Sequence, residues 1–263
     1  MERYMYELIA LTFIIHTIDT LSYSVRLSSV KSGQFALSTS LFNVFVLISR
    51  TANMLQGPLI GALIGTSIAM EIDPVYDIRK VVFASTGGTL AGIVLIPTFL
   101  KIFHFAVARL ETTGSVPLLI IQALSINNIK LIAKNSVMPS RETFQNIRYH
   151  DIPKRLLVFN TLLTAVYTVG VLAAFYSATL VAPEYQLAAS SSSGMINGVA
   201  TILLTLVVDP RAAIITDQAF RGNRPYSDVK TLVVLLIGAK LLGTLLGQVI
   251  LIPAANLIAG FYE

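Results

Sequence analysis

Four residues near the start of the chain, His16, Asp19, Tyr23 and Arg26, place a titratable base, an acid, a phenol and a fixed cation in a stretch that is otherwise apolar from Tyr4 onward. Their spacings of three, four and three put them within roughly 80° of one another on a helix turning about 100° per residue, so they form one polar stripe. A histidine one turn from an aspartate can neutralise it or carry a proton in the physiological pH range, which makes His16 and Asp19 candidates for a proton-coupling pair. The bland reading of the same two residues is a buried pair that fixes helix packing.

Three further groups put polar chemistry in apolar surroundings. Arg50 shares a helical face with Asn43 and Asn53 and precedes Gln56. Lys240 lies about ten residues into an apolar run, with Thr244 one turn away. Asp209, Arg211 and Asp217 follow another such run, where Asp209 and Arg211 are expected to form an interfacial salt bridge. Arginine grips phosphate bidentately and lysine acts as a point charge. A cavity presenting Arg50, Lys240, Arg26 and Arg211 with Asn43, Asn53 and Gln56 suits an anionic, hydrogen-bonding headgroup.

The surroundings that must hold these residues are set by composition. Hydrophobic residues make up 54% of the 263 and charged residues only 13%, with a mean hydropathy of +0.73. Soluble domains carry about 25% charged residues, so this is an integral membrane protein. The first apolar stretch is full length and polar-studded, and is read as a retained span instead of a cleaved signal. The chain has no cysteine, so thiol catalysis and Cys-based metal sites are excluded.

Stretches able to cross about 30 Å of hydrocarbon lie near 4–25, 35–70, 81–101, 156–182, 194–208 and 231–252, an all-α polytopic protein of about six spans. The second stretch is long enough for one broken helix or two short spans, and the fifth is short and expected to continue past Asp209-Pro210 as a broken element. Residues 102–155 read as a basic cytoplasmic linker with a short interfacial helix at 117–133, between an N-terminal three-span unit at 1–101 and a C-terminal one at 156–263. With that linker inside, and with it 26–34 and 209–230, fourteen of the nineteen Lys and Arg face the cytoplasm, as the positive-inside rule requires. Arg3, Arg79 and Lys80 fall outside, Arg50 and Lys240 within spans.

The two halves resemble each other. GTLAGIVLIP at 88–97 recurs as GTLLGQVILIP at 243–253, YSVRL at 23–27 as YSATL at 176–180, and Asn43 finds Asn197. Three spans per half is an odd number, so the second half must enter the membrane in the opposite sense. That is the inverted-topology repeat of many transporters, whose substrate site lies between halves near the midplane. Gly88 with Gly92 and Gly243 with Gly247 would allow close helix approach.

The strings HTIDTLSYSVRLSSVKSGQ, SLFNVFVLISRTANMLQGPLIG and INGVATILLTLVVDPRAAIITDQAFRG resemble the Amj family of bacterial lipid II flippases, over nearly the whole chain. The resemblance implies a plasma-membrane protein that moves undecaprenyl-diphosphate-linked disaccharide pentapeptide from the inner to the outer leaflet for peptidoglycan synthesis, overlapping in function with the unrelated MurJ flippases. It brings no catalytic motif, so the residues above rest on the polar-in-membrane argument. Lipid II and membrane lipids are the expected partners; no cofactor and no metal are expected.

Two rivals remain. An ion-coupled carrier of small solutes would use the repeat and the His16/Asp19 pair equally well, and with six spans would be expected as a homodimer. A membrane-embedded lipid phosphatase would need a nucleophile or metal cluster, whereas His16, His104 and His150 are scattered, so no enzyme is expected. A nucleic-acid role is not expected either, because the basic linker lacks interleaved aromatics and lies beside anionic lipid.

Overall fold

The computed structural model describes residues 2–115 and 152–262. Those residues form six helices long and apolar enough to cross a membrane, and they include no strand. The helices are α1 (Glu2–Ser32), α2 (Phe35–Ala69), α3 (Val75–Thr113), α4 (Lys154–Ser177), a fifth span made of α5 (Gln186–Leu203), a π-helical turn (Leu204–Val208) and α6 (Asp209–Phe220), and α7 (Tyr226–Ala259). In hydrocarbon each backbone polar group must be paired within its own segment, which is why apolar runs of this length become helices.

The ends are set by local chemistry. Gly33 (φ +71°) and Gly114 (φ +63°) adopt the left-handed conformation just past α1 and α3, and the Gly114 N–H closes α3 by donating to Leu110 O at 2.8 Å. Pro153 and Pro225 stand immediately before α4 and α7, where a missing N–H removes nothing from the ladder.

Several boundaries move outward from those the hydropathy pattern gives. The second stretch is one helix of 35 residues that runs through Pro58, not a pair of short spans. Arg26 and Lys31 belong to the last turns of α1, Lys101 and Arg109 to α3, and the loop between α1 and α2 is only Gly33 and Gln34. Helices of 31 to 39 residues are about 46 to 58 Å long, well beyond the ~30 Å hydrocarbon core, so charged turns extend into the headgroup region as helix. The expected interfacial helix at 117–133, and most of the linker, lie outside the described residues.

The fifth span continues beyond Asp209-Pro210, as expected, and the break has a cause. Pro210 has no N–H to donate into the preceding turn. The chain meets this with five π-helical residues just before it, the wider winding that relieves such a mismatch.

Packing is parallel in the two halves. α3 lies along α1 and α7 along α4, the two most extensive helix contacts. A Cβ on Gly92 would stand 2.6 Å from Thr20 Cβ, and one on Gly88 would collide with the Phe13 carbonyl. Across the other pair, a Cβ on Gly243 would stand 2.6 Å from Thr161 O and one on Gly247 3.1 Å from Val169 Cγ1. Both glycine pairs that the repeat picks out therefore sit where backbones come closest. α7 also meets α1 and α3, so α1, α3, α4 and α7 form the centre, while α2 and the fifth span flank it. The apolar windows of α4, α1 and α7 are 56%, 44% and 44% buried, against 22% for α3 and the fifth span and 17% for α2.

Candidate functional site

The stripe on α1 faces inward. His16, Asp19, Tyr23 and Arg26 all line one cavity of about 720 Å³, counting the space at its open side. α2 contributes Arg50, Phe42 and Val46; α4 contributes Thr164 and Tyr167; the fifth span contributes Thr201, Leu204, Val208 and Asp209; and α7 contributes Lys240.

Two ion pairs and one aromatic ring organise the interior. Lys240 Nζ lies 3.6 Å from Asp19 Oδ2, with the lysine side chain 4% exposed and the aspartate 23%. Arg26 Nη2 lies 3.1 Å from Asp209 Oδ1. The Tyr23 ring stands between these pairs, 5.8 Å from Lys240 Nζ and 5.7 Å from the Arg26 guanidinium, which also faces the Phe42 ring at 5.1 Å. Such cation–π contacts strengthen when water is excluded. Tyr23 is fixed from the other side: its hydroxyl donates to Asn160 Oδ1 at 3.1 Å, and Asn160 Nδ2 donates to Leu236 O at 3.0 Å on α7, one turn before Lys240.

Arg50 differs from the other two cations. It faces no carboxylate at ion-pair distance among the described residues, and its Nη2 donates to the Thr205 hydroxyl at 3.3 Å. The lining thus holds three fixed or ammonium cations, Arg26, Arg50 and Lys240, against two carboxylates, Asp19 and Asp209. The excess is one positive charge at Arg50, and an anion is the ligand that would balance it.

The structure gathers some of the expected residues and separates others. Arg26, Arg50, Lys240, His16 and Asp19 meet in the cavity. His16 and Asp19 do not pair with each other; Asp19 takes Lys240, and His16 Nδ1 is buried without a hydrogen-bond partner. Gln56 lies outside the lining, buried, and donates to Thr12 Oγ1 at 2.6 Å. Asn43 is exposed and Asn53 half-buried, both outside the lining. Arg211 is exposed and outside it as well, and the expected Asp209–Arg211 bridge gives way to Arg26–Asp209. Two residues apart on a helix means about 200° of rotation, so both cannot face one partner across a groove. Sequence reasoning did not find Tyr167, Thr164, Asn160 or Thr205. Single tyrosines, threonines and asparagines are common in spans, and only Asn160, in the middle of an apolar run, carried a signal that could have been noticed.

A family model described as "Alternate to MurJ", Amj, matches residues 11–262. The protein named "Lipid II flippase Amj" from Bacillus subtilis (strain 168) is 40% identical over 248 residues, covering 94% of this chain and 92% of that protein. No solved structure matches.

Proposed function

The chain belongs to the Amj family, and from that premise we propose that it is a lipid II flippase, a multi-pass protein of the bacterial plasma membrane. It would carry the undecaprenyl-diphosphate-linked peptidoglycan precursor from the inner to the outer leaflet. The observation that carries the reading is 40% identity, across nearly the whole of both chains, to a protein of that name. The charge excess in the cavity supports it independently, because the transported headgroup is a diphosphate bearing peptide carboxylates.

A flippase breaks no covalent bond, so the residues have binding work alone. Arg50 is the cation a headgroup takes most readily, since its one hydrogen bond among the described residues is to a neutral hydroxyl and a phosphate offers a charge-assisted, bidentate alternative. Lys240 and Arg26 are held in reserve by Asp19 and Asp209. A phosphate arriving between the two pairs competes with carboxylates of like charge, so each cation exchanges one anion for another and is never left bare in low dielectric. Tyr23 keeps the two cations apart and gives both an aromatic face during the exchange.

The parallel packing of α3 on α1 and α7 on α4, with a glycine pair at each contact, supports two inverted halves, 1–101 and 156–263, joined by the basic linker. On that topology Arg26, Asp209 and the Gly33-Gln34 loop lie toward the cytoplasm, the side from which the precursor arrives. The test is depletion in cells where this protein is the sole lipid II flippase: precursor exposed on the outer surface falls while total precursor does not. Unchanged surface exposure would overturn the reading.

A further inference from the structure

We propose that Asn160 is a positioning residue that holds Lys240 and Arg26 at the separation a diphosphate needs, so that the cavity prefers a diphosphate to a monophosphate. The proposal rests on the flippase reading and names the feature of the headgroup that the site reads.

Asn160 interrupts the apolar run LLVFNTLL of α4 and is fully buried. One turn to either side, Leu156 and Leu163 pack into an apolar cluster with Leu232 and Leu236 of α7, a place that a leucine would fill as well. An amide in such surroundings is costly unless it is partnered. Its partners lie on two other helices. Asn160 Nδ2 donates to Leu236 O at 3.0 Å on α7, and Asn160 Oδ1 accepts from the Tyr23 hydroxyl at 3.1 Å on α1. A backbone carbonyl can only accept, so this orientation of the amide is the one that makes both bonds.

Each bond lands one turn from a cation on the same helix. Tyr23 precedes Arg26 by three residues on α1, and Leu236 precedes Lys240 by four on α7. One side chain on α4 therefore ties together the two turns that carry the cations. The Tyr23 ring lies 5.7 Å from the Arg26 guanidinium and 5.8 Å from Lys240 Nζ, so the cations stand no farther apart than the sum of those distances. Two linked phosphoryl groups can engage a cation at each end, whereas a single one engages one of them.

The tie matters most when the headgroup arrives. While Lys240 holds Asp19 and Arg26 holds Asp209, a carboxylate restrains each cation. A phosphate that displaces those carboxylates removes the restraint at the step where the spacing is read. The amide is untouched by that exchange, because Asn160 is neutral and lies outside the cavity lining, so it neither meets the anion nor competes for the cations. No water competes for its two bonds in the apolar cluster, which strengthens both.

The test uses the full chain in nanodiscs, with radiolabelled farnesyl diphosphate and farnesyl monophosphate as probes and scintillation proximity as the readout. Wild type is expected to bind the diphosphate more tightly than the monophosphate. Asn160→Leu should weaken diphosphate binding roughly tenfold and leave monophosphate binding within about twofold, the scale of one lost restraint at one of two contacts. Asn160→Leu also strands the Tyr23 hydroxyl, so the deciding variant is Tyr23→Phe combined with Asn160→Leu. It replaces both partners by apolar groups of similar shape and should unfold close to the wild-type temperature, with the same loss of preference for the diphosphate. An asparagine that serves packing alone predicts wild-type diphosphate binding in the double variant. That result, an equal loss for both probes, a wild type without preference, or a double variant that does not fold would each overturn the proposal. Lipid II translocation by the wild type in vesicles is read separately: translocation together with an unchanged preference in the double variant removes the role of Asn160 alone, and absent translocation removes the flippase reading.

Discussion

Neutralising the Asp19–Lys240 pair one residue at a time and then together separates its structural role from its role in transport. At 3.6 Å two unit charges attract by about 4 to 5 kcal/mol at an effective dielectric of about 20, and most of that is offset by taking the ammonium out of water. The two ends are unequal. Lys240 is 4% exposed and Asp19 23%, so Asp19→Asn strands a buried cation, which typically destabilises by about 3 to 5 kcal/mol. Lys240→Met leaves a carboxylate that reaches the cavity, and is expected to destabilise by about 1 to 2 kcal/mol. Replacing both with neutral groups of similar volume removes the desolvation penalty along with the attraction, so the double variant should return to within about 1 kcal/mol of wild type. Thermal unfolding of the purified protein in one detergent measures all four corners of the cycle. Transport should behave differently: Lys240→Met and the double variant should both fail to flip lipid II at normal abundance. A double variant that is stable and flips lipid II like wild type would refute the assignment of Lys240 to the headgroup, and strictly additive destabilisation would refute the pairing itself.

Arg50→Ala should abolish export with the protein still inserted, and Arg50→Lys should restore little of it, because a point charge does not replace a bidentate fork; surface precursor normalised to membrane abundance checks both. Asp19→Asn and His16→Ala should reduce transport when surface precursor is normalised to membrane abundance; unchanged normalised transport would make the two residues structural. Tyr23→Phe keeps the ring between the two cations and loses one hydrogen bond to Asn160, so it should lower stability by about 1 kcal/mol and leave most transport intact. Gly243→Val would drive a side chain into Thr161 O and Thr164 and should destabilise the α4–α7 contact by about 1 to 3 kcal/mol or more, seen as lost abundance. Inverted halves predict that impermeant thiol reagents reach cysteines at Gln34 and Asn223 from one side and at Tyr76 and Ser191 from the other; labelling of Gln34→Cys and Ser191→Cys from the same side would refute them.

Much of the architecture was legible because hydrocarbon leaves few options. Six apolar runs of spanning length became six helices, and the proline after Asp209 marked where the fifth would break. Boundaries were less legible, since the charged turns at Arg26, Lys31 and Lys101 remain helical beyond the apolar core and a hydropathy pattern ends where apolarity ends. Within the site, the α1 stripe was readable from spacing alone, because residues three and four apart must share a face. Partners were not readable. Spacing put Asp209 beside Arg211 and His16 beside Asp19, yet the pairs formed are Arg26–Asp209 and Asp19–Lys240, 183 residues apart in the first case. Those contacts depend on how α1, α7 and the fifth span pack, which no local pattern encodes. Asn43, Asn53 and Arg211 share the polar character of the lining residues but point elsewhere, because composition reports polarity and not direction.

The most direct test of the central claim is translocation of fluorescent lipid II in proteoliposomes containing this protein and no other, read by an impermeant quencher or enzyme. Wild type should move the labelled precursor between leaflets, while Arg50→Ala and Lys240→Ala, reconstituted at equal density, should not exceed empty vesicles. Translocation by both variants at the wild-type rate, or none by the wild type, would contradict the account.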